Sequence, residues 1–187
     1  MKTPPDSPRL ALAEEKARLL LHREQITLPP VPAKELLEQY AILHSFDHPT
    51  EKSFCLELDS IWHVFINSKI SRHSVTYLYA YELGHLILGH LFYNKPDLTP
   101  EQYQAMAREA EHFADNLLMP EGWVRNACND KIAGESAAAC LSGLFRISRE
   151  TMEKRLHRLG ICCLSSYHDW RNIYRKAFLH EIDHTSH

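Results

Sequence analysis

Aromatic and β-branched residues crowd two short runs, 54–59 and 61–67, and from residue 73 or 74 the apolar spacing turns helical. The two runs meet at Asp59-Ser60 and predict an antiparallel hairpin whose second strand ends at Asn67. The helical pattern holds to about Tyr93, where Asn94-Lys95-Pro96-Asp97 must leave the helix. Upstream, residues 10–23 are rich in Ala, Leu, Glu, Lys and Arg and predict a first helix. Pro29-Pro30-Val31-Pro32 then breaks the chain before a short helix over 33–40. Thr99, Pro100 and Gln102 read as an N-cap, a first-turn proline and a capping-box partner, so a second long helix runs from there to Leu118, before Met119-Pro120. Residues 121–127, 135–144, 148–158 and 167–179 are further helical candidates, separated by Asn129-Asp130, Arg146-Ile147 and Gly160.

These elements imply an α+β fold in which a small antiparallel sheet packs on the central helix of 74–93, helix 100–118 closes the site and the C-terminal part is helical. The expected organisation is a disordered N-terminus over 1–9, a main domain over 10–127, a helical subdomain over 128–180 and a polar tail over 181–187. A length of 187 residues suits one domain, or one with a small appendage.

Composition narrows the function by exclusion. A formal charge of −3 provides no basic field for holding nucleic acid through its phosphates, so direct nucleic-acid binding is not expected. The start, Met1-Lys2-Thr3-Pro4-Pro5-Asp6, lacks an apolar signal core, and no stretch approaches the ~20 apolar residues of a membrane span, so a cytoplasmic location is expected. Five cysteines, odd in number and without a Cys-x-x-Cys pair, read as buried or idle thiols rather than a disulfide framework or a zinc ribbon. Of the thirteen histidines, His184 and His187 fall in the polar tail and His180 lies immediately before it.

The informative chemistry lies in Ala80-Tyr81-Glu82-Leu83-Gly84-His85-Leu86-Ile87-Leu88-Gly89-His90. The pattern H-E-x-x-H on a helix places two imidazoles on one face to share a Zn²⁺, while the glutamate activates the bound water. Glu82 and His85 match that pattern, but position 81 is tyrosine.

With Ile66-Asn67 before it, and with Glu109-Ala110-Glu111-His112-Phe113-Ala114 and Leu118-Met119-Pro120 after it, this segment resembles the ImmA/IrrE family of zinc metallo-endopeptidases in order and spacing. Ile147-Ser148, Arg155-Leu156 and Leu159-Gly160 extend the resemblance over about residues 10–162. The resemblance implies a zinc site and an endopeptidase acting on a cytoplasmic regulator protein, such as a helix-turn-helix transcriptional repressor or an antitoxin-like protein. Carried over, Glu82 would be the general base, His85 a metal ligand and Glu109 the carboxylate ligand, with Glu111 as the alternative. It also implies that the strand over 61–67 is a sheet edge beside the cleft, where an extended peptide could add as a further strand.

Tyr81 opens two readings. A phenol with an ordinary pKa of about 10 binds Zn²⁺ only if the metal strips its proton, so the protein could have kept the fold as a pseudo-peptidase that holds a partner without cutting it. Alternatively a metal is kept through Tyr81 itself, or through His112, which shares a helix face with Glu109 as in a Glu-x-x-His pair.

Other residues have plainer expectations. His90 lies about 140° around a regular helix from His85 and is expected to be structural or solvent-facing. At least one of Tyr77, Tyr79 and Tyr81 is expected to pack in the core. Glu111 and Asp115 form either a solvated face or support for a ligand, and Gly84 and Gly89 would be justified by close approach of a neighbouring element. Cysteine nucleophile chemistry finds no local signature around Cys140 or Cys162-Cys163.

Overall fold

The computed structural model describes residues 4–93, 97–128 and 135–161. The chain divides into two compact units, one of Met1–Gln25 with Pro32–Leu117, the other of Ile26–Val31 with Leu118–His187. The fold is α+β.

The first unit opens with α1 (Leu10–Arg23), whose buried Ala13, Ala17, Leu20 and Leu21 form one stripe at helical spacing. Residues 1–9 were expected to be disordered, but two of them are tied to the helix that follows the cleft. Asp6 Oδ1 accepts from Gln102 Nε2 at 2.9 Å, and Arg9 bonds Glu109. After α2 (Ala33–Glu38) come three strands, β1 (Ala41–Phe46), β2 (Ser53–Leu58) and β3 (Ile61–Asn67). The predicted hairpin is β2 and β3, antiparallel, with Leu58 opposite Ile61. Its turn residues Asp59 and Ser60 both adopt positive φ, at 51° and 63°.

The sheet departs from expectation in two ways. β1 pairs parallel to β3, which makes the sheet mixed. Its order is β1-β3-β2, so β3 is the central strand and not an edge. The strand beside the cleft that has an unpaired side among the described residues is β2. Asn67, at the end of β3, is buried and organises the loop between β1 and β2. Its Nδ2 donates to the carbonyls of His48 (2.7 Å) and Glu51 (2.6 Å), and its Oδ1 accepts from Lys69 N.

Helix α3 (Arg72–Ile87) starts at Ser71, whose Oγ accepts from the Ser74 amide, and it packs on α1, α2 and β2. It stops six residues earlier than the periodicity predicts. Gly89 adopts φ +74°, the left-handed conformation that closes helix ends and suits glycine, and a 3-10 turn over His90–Phe92 follows. Gly84 is a different case. A Cβ there would sit 3.0 Å from the Phe113 ring and 3.2 Å from the Ala110 backbone, so α3 and α4 (Pro100–Leu118) approach closely at this point.

The predicted capping box of α4 is present: Thr99 Oγ1 accepts from Gln102 N at 3.2 Å, and Gln102 Oε1 accepts from Thr99 N at 3.1 Å. Ala105, Met106, Ala110, Phe113, Ala114 and Leu117 form the buried stripe of α4, and Glu109 sits in the middle of it with no exposed surface. Asp115 is also buried, accepting from Tyr77 Oη at 3.1 Å, so it belongs to the α3–α4 contact; Glu111 alone faces solvent.

The second unit contains α5 (Glu121–Cys128), α6 (Glu135–Phe145) and α7 (Arg149–Arg158), with α6 packed on α5 and α7. Its core holds Leu141, Phe145, Ile147 and Met152. Arg155 is buried and its Nε donates to the carbonyl of Met119 at 3.1 Å, which joins two pieces of the recognised sequence pattern, Leu-Met-Pro and Arg-Leu. The predicted helix over 167–179, Cys162, Cys163 and the histidine-bearing tail lie outside the described residues. No helix among the described residues is long and apolar enough to cross a membrane.

Candidate functional site

Four elements of the first unit converge on one cleft of about 250 Å³. Helix α3 contributes Tyr81, Glu82 and His85, the turn after it contributes His90, and β2 contributes Ser53 and Cys55. Helix α4 reaches the same group through Glu109, which bonds His90.

Glu82 is buried against β2. Its Oε1 accepts from Ser53 Oγ at 2.5 Å and its Oε2 from Cys55 Sγ at 3.0 Å. A carboxylate only accepts, so the hydroxyl and the thiol are the donors. Cys55 is therefore a working donor to the motif glutamate rather than an idle thiol.

Glu109 is enclosed more fully. Its Oε1 accepts from the backbone N of Arg9 (2.8 Å) and from Arg9 Nε (2.9 Å), and its Oε2 accepts from Arg9 Nη2 (2.8 Å) and from His90 Nε2 (3.0 Å). Burial alone would raise the Glu109 carboxyl, but the bonds from the Arg9 side chain, the Arg9 backbone and His90 outweigh it and hold it below the usual carboxylate range. The same bond to Glu109 raises Arg9.

The array continues through His90, whose Nδ1 lies 3.0 Å from Nδ1 of His85. Burial pushes the His90 imidazole below its ordinary value, so the ring is neutral near pH 7. An ionised Glu109 requires a proton on His90 Nε2, which leaves His90 Nδ1 as the acceptor and makes His85 Nδ1 the donor. Arg9, Glu109, His90 and His85 thus form one hydrogen-bonded line. The expectation that His90 stands apart from His85 fails because it assumed a regular helix, whereas the turn at Gly89 brings His90 back toward α3.

Tyr81 lies edge-on to His85, with ring centroids 4.7 Å apart at 76°. Burial, and then the charge of Glu82, push its phenol well above the ordinary value. His112 is turned toward α1, with Nε2 3.7 Å from Glu14 Oε2.

These residues do not fit a zinc ion as they stand. The phenol is made harder to ionise, Glu109 has four donors on its two oxygens, and His90 uses both ring nitrogens along the line. Among the described residues no three His, Cys, Asp or Glu side chains converge to hold a metal ion. Sequence reasoning singled out Tyr81, Glu82, His85, Glu109 and His112; it missed Arg9, Ser53, Cys55 and the part played by His90. Glu109 carried a readable signal, since it falls on the apolar stripe of α4 where an unpaired carboxylate would not survive.

A stretch of 63 residues, 33% of this chain, is 38% identical to methylenetetrahydrofolate–tRNA-(uracil-5-)-methyltransferase TrmFO of Exiguobacterium sp., and this chain spans only 14% of that relative's length. Residues 35–157, which hold both sheet and motif helix as well as Glu109, match the Peptidase M78 family, described as the IrrE N-terminal-like domain. With that match covering more than half of its length, the chain belongs to the IrrE N-terminal-like family of metallopeptidase-type domains.

Proposed function

We propose that this protein is a pseudo-peptidase: it holds an extended segment of a protein partner in the cleft beside β2 and does not cleave it by zinc chemistry. The observation that carries the reading is the donor set: among the described residues no three His, Cys, Asp or Glu side chains converge, and position 81 bears a phenol that burial makes harder to ionise. Support for binding comes from β2, an edge strand among the described residues, whose Ser53, Phe54 and Cys55 line the cleft and whose outer side an added strand could pair with. The family resemblance supports a regulator protein, such as a transcriptional repressor, as the partner. Methyl transfer to tRNA is not part of the reading, because the shared stretch is a small part of that enzyme and the net charge of −3 favours no polyanion.

In this function Glu82 has a holding role. Its carboxylate fixes the Ser53 and Cys55 side chains and so ties β2 to α3. Zinc, if the centre accepted it, would lower the pKa of a bound water and polarise a peptide carbonyl. A second reading, zinc-dependent hydrolysis, is favoured by the match to the IrrE N-terminal-like peptidase family and by Glu82 and His85 sharing a cleft.

The test is a peptide library displayed in extended form and presented to the protein with excess chelator, then with added Zn²⁺. Selected peptides are expected to bind equally in both, to emerge intact by mass spectrometry, and to lose binding when their backbone amides are N-methylated at alternate positions. Zinc-dependent cleavage that disappears in Glu82→Gln would overturn the proposal in favour of the second reading.

A further inference from the structure

We propose that Arg9 is an internal cation standing in for a metal as the partner of Glu109, and that removing its guanidinium turns Glu109 into a group that takes up a divalent cation. The inference rests on the non-metal reading of the site and adds what holds that site together.

Glu109 has no exposed surface and lies among apolar residues of α4. A carboxylate in such a place must be paired with positive charge and hydrogen-bonded at both oxygens, or it takes up a proton. Arg9 meets both demands from 100 residues away in sequence. Its Nε and Nη2 make a two-pronged contact with the two oxygens, the geometry in which guanidinium recognises carboxylate best, and its own backbone amide adds a third bond. With His90 as the fourth donor, the four lone-pair positions of the carboxylate are filled. Arginine stays charged across the accessible pH range, so this partner is not lost by titration.

Arg9 is also well placed to remain there. It is the residue immediately before α1, and Asp6 holds the same segment to α4 through Gln102. The substitution of a phenol at position 81 and the insertion of a guanidinium against Glu109 act in the same direction: the first removes an imidazole donor, the second occupies the carboxylate. The pair is asymmetric. The Arg9 side chain is 38% exposed and could return to water if its partner were lost, whereas Glu109 has nowhere to go.

The experiment compares wild type, Arg9→Met, Glu109→Gln and the double variant by thermal unfolding with EDTA or Zn²⁺, and by Zn²⁺ titration against a competing chelator. Arg9→Met is expected to lower Tm by roughly 5 °C in EDTA, because it strands a buried charge. Glu109→Gln is expected to lower it less, and the double variant to recover most of the Arg9→Met loss. Zn²⁺ is expected to raise the Tm of Arg9→Met alone, with about tenfold or greater gain in affinity over the double variant, which controls for adventitious histidine sites. If Arg9→Met does not fold, the order of Glu109→Gln and the double variant still decides: both must fold, with the double variant no less stable than Glu109→Gln by more than a few degrees.

An Arg9→Met protein as stable as wild type, or one whose Zn²⁺ affinity equals that of the double variant, overturns the proposal. That outcome leaves the non-metal reading standing if wild type is metal-free. A wild type that binds one zinc tightly sinks the pseudo-peptidase reading instead.

Discussion

Tyr81 and Glu109 illustrate how two side chains, each unremarkable in type, decide what a site can hold. The phenol is half-buried beside Glu82 and edge-on to His85, and its partial desolvation raises the free energy of its anion. Placing histidine at position 81 is therefore expected to be insufficient alone. Tyr81→His should bind Zn²⁺ no more than modestly, because Glu109 remains bonded to Arg9, while Tyr81→His with Arg9→Met should bind far more tightly than either single change predicts. Isothermal titration of the three variants measures that coupling, and simple additivity would show that Arg9 does not block the site. Acid sensitivity follows from the same residues. Glu109 has a folded pKa below its unfolded value, so it contributes stability above about pH 4 that disappears as pH falls through the folded value. His90, also lowered, loses its contribution as pH falls below about 6.5, where the unfolded chain takes up the proton first. Urea midpoints should thus drop from pH 7 to pH 4 through His90 and fall further below pH 4 through Glu109, with the drop below pH 4 smaller in Glu109→Gln.

Helix α3 carries the site, and its ends and contacts are set by glycines that do different work. Gly84→Ala would drive a methyl to 3.0 Å from Phe113 and 3.2 Å from the Ala110 backbone; a loss of about 1–3 kcal/mol is expected by chemical denaturation. Gly89→Ala meets ordinary space but a positive φ, and about 1 kcal/mol is expected, together with a disturbed His90. Local pattern made much of this scaffold readable. Helices α1 and α4 follow the predicted limits because proline and the capping box mark their ends, and the hairpin follows from its two β-branched runs. Strand β1 was missed because its sequence, Ala-Ile-Leu-His-Ser-Phe, lacks turn signals and gains its partner only through parallel pairing with β3. The stop of α3 was missed because the apolar pattern continues through Leu91-Phe92-Tyr93 after the backbone has already turned at Gly89.

At the scale of the whole molecule, the recognised motifs describe a peptidase-type domain, while the contacts that hold its cleft residues join positions far apart in the chain. Arg9 with Glu109 spans 100 positions, and Ser53 with Glu82 spans 29. No local spacing reports such pairs, which is why the motif pointed to a metal centre and the packed structure to a guanidinium–carboxylate–imidazole line. The most direct test is the zinc content of the full-length protein, purified from zinc-sufficient cells without chelator, measured by mass spectrometry beside His85→Ala and Glu109→Gln. The account predicts far less than one equivalent, unchanged in both variants. One equivalent in the wild type, lost in both, would contradict it.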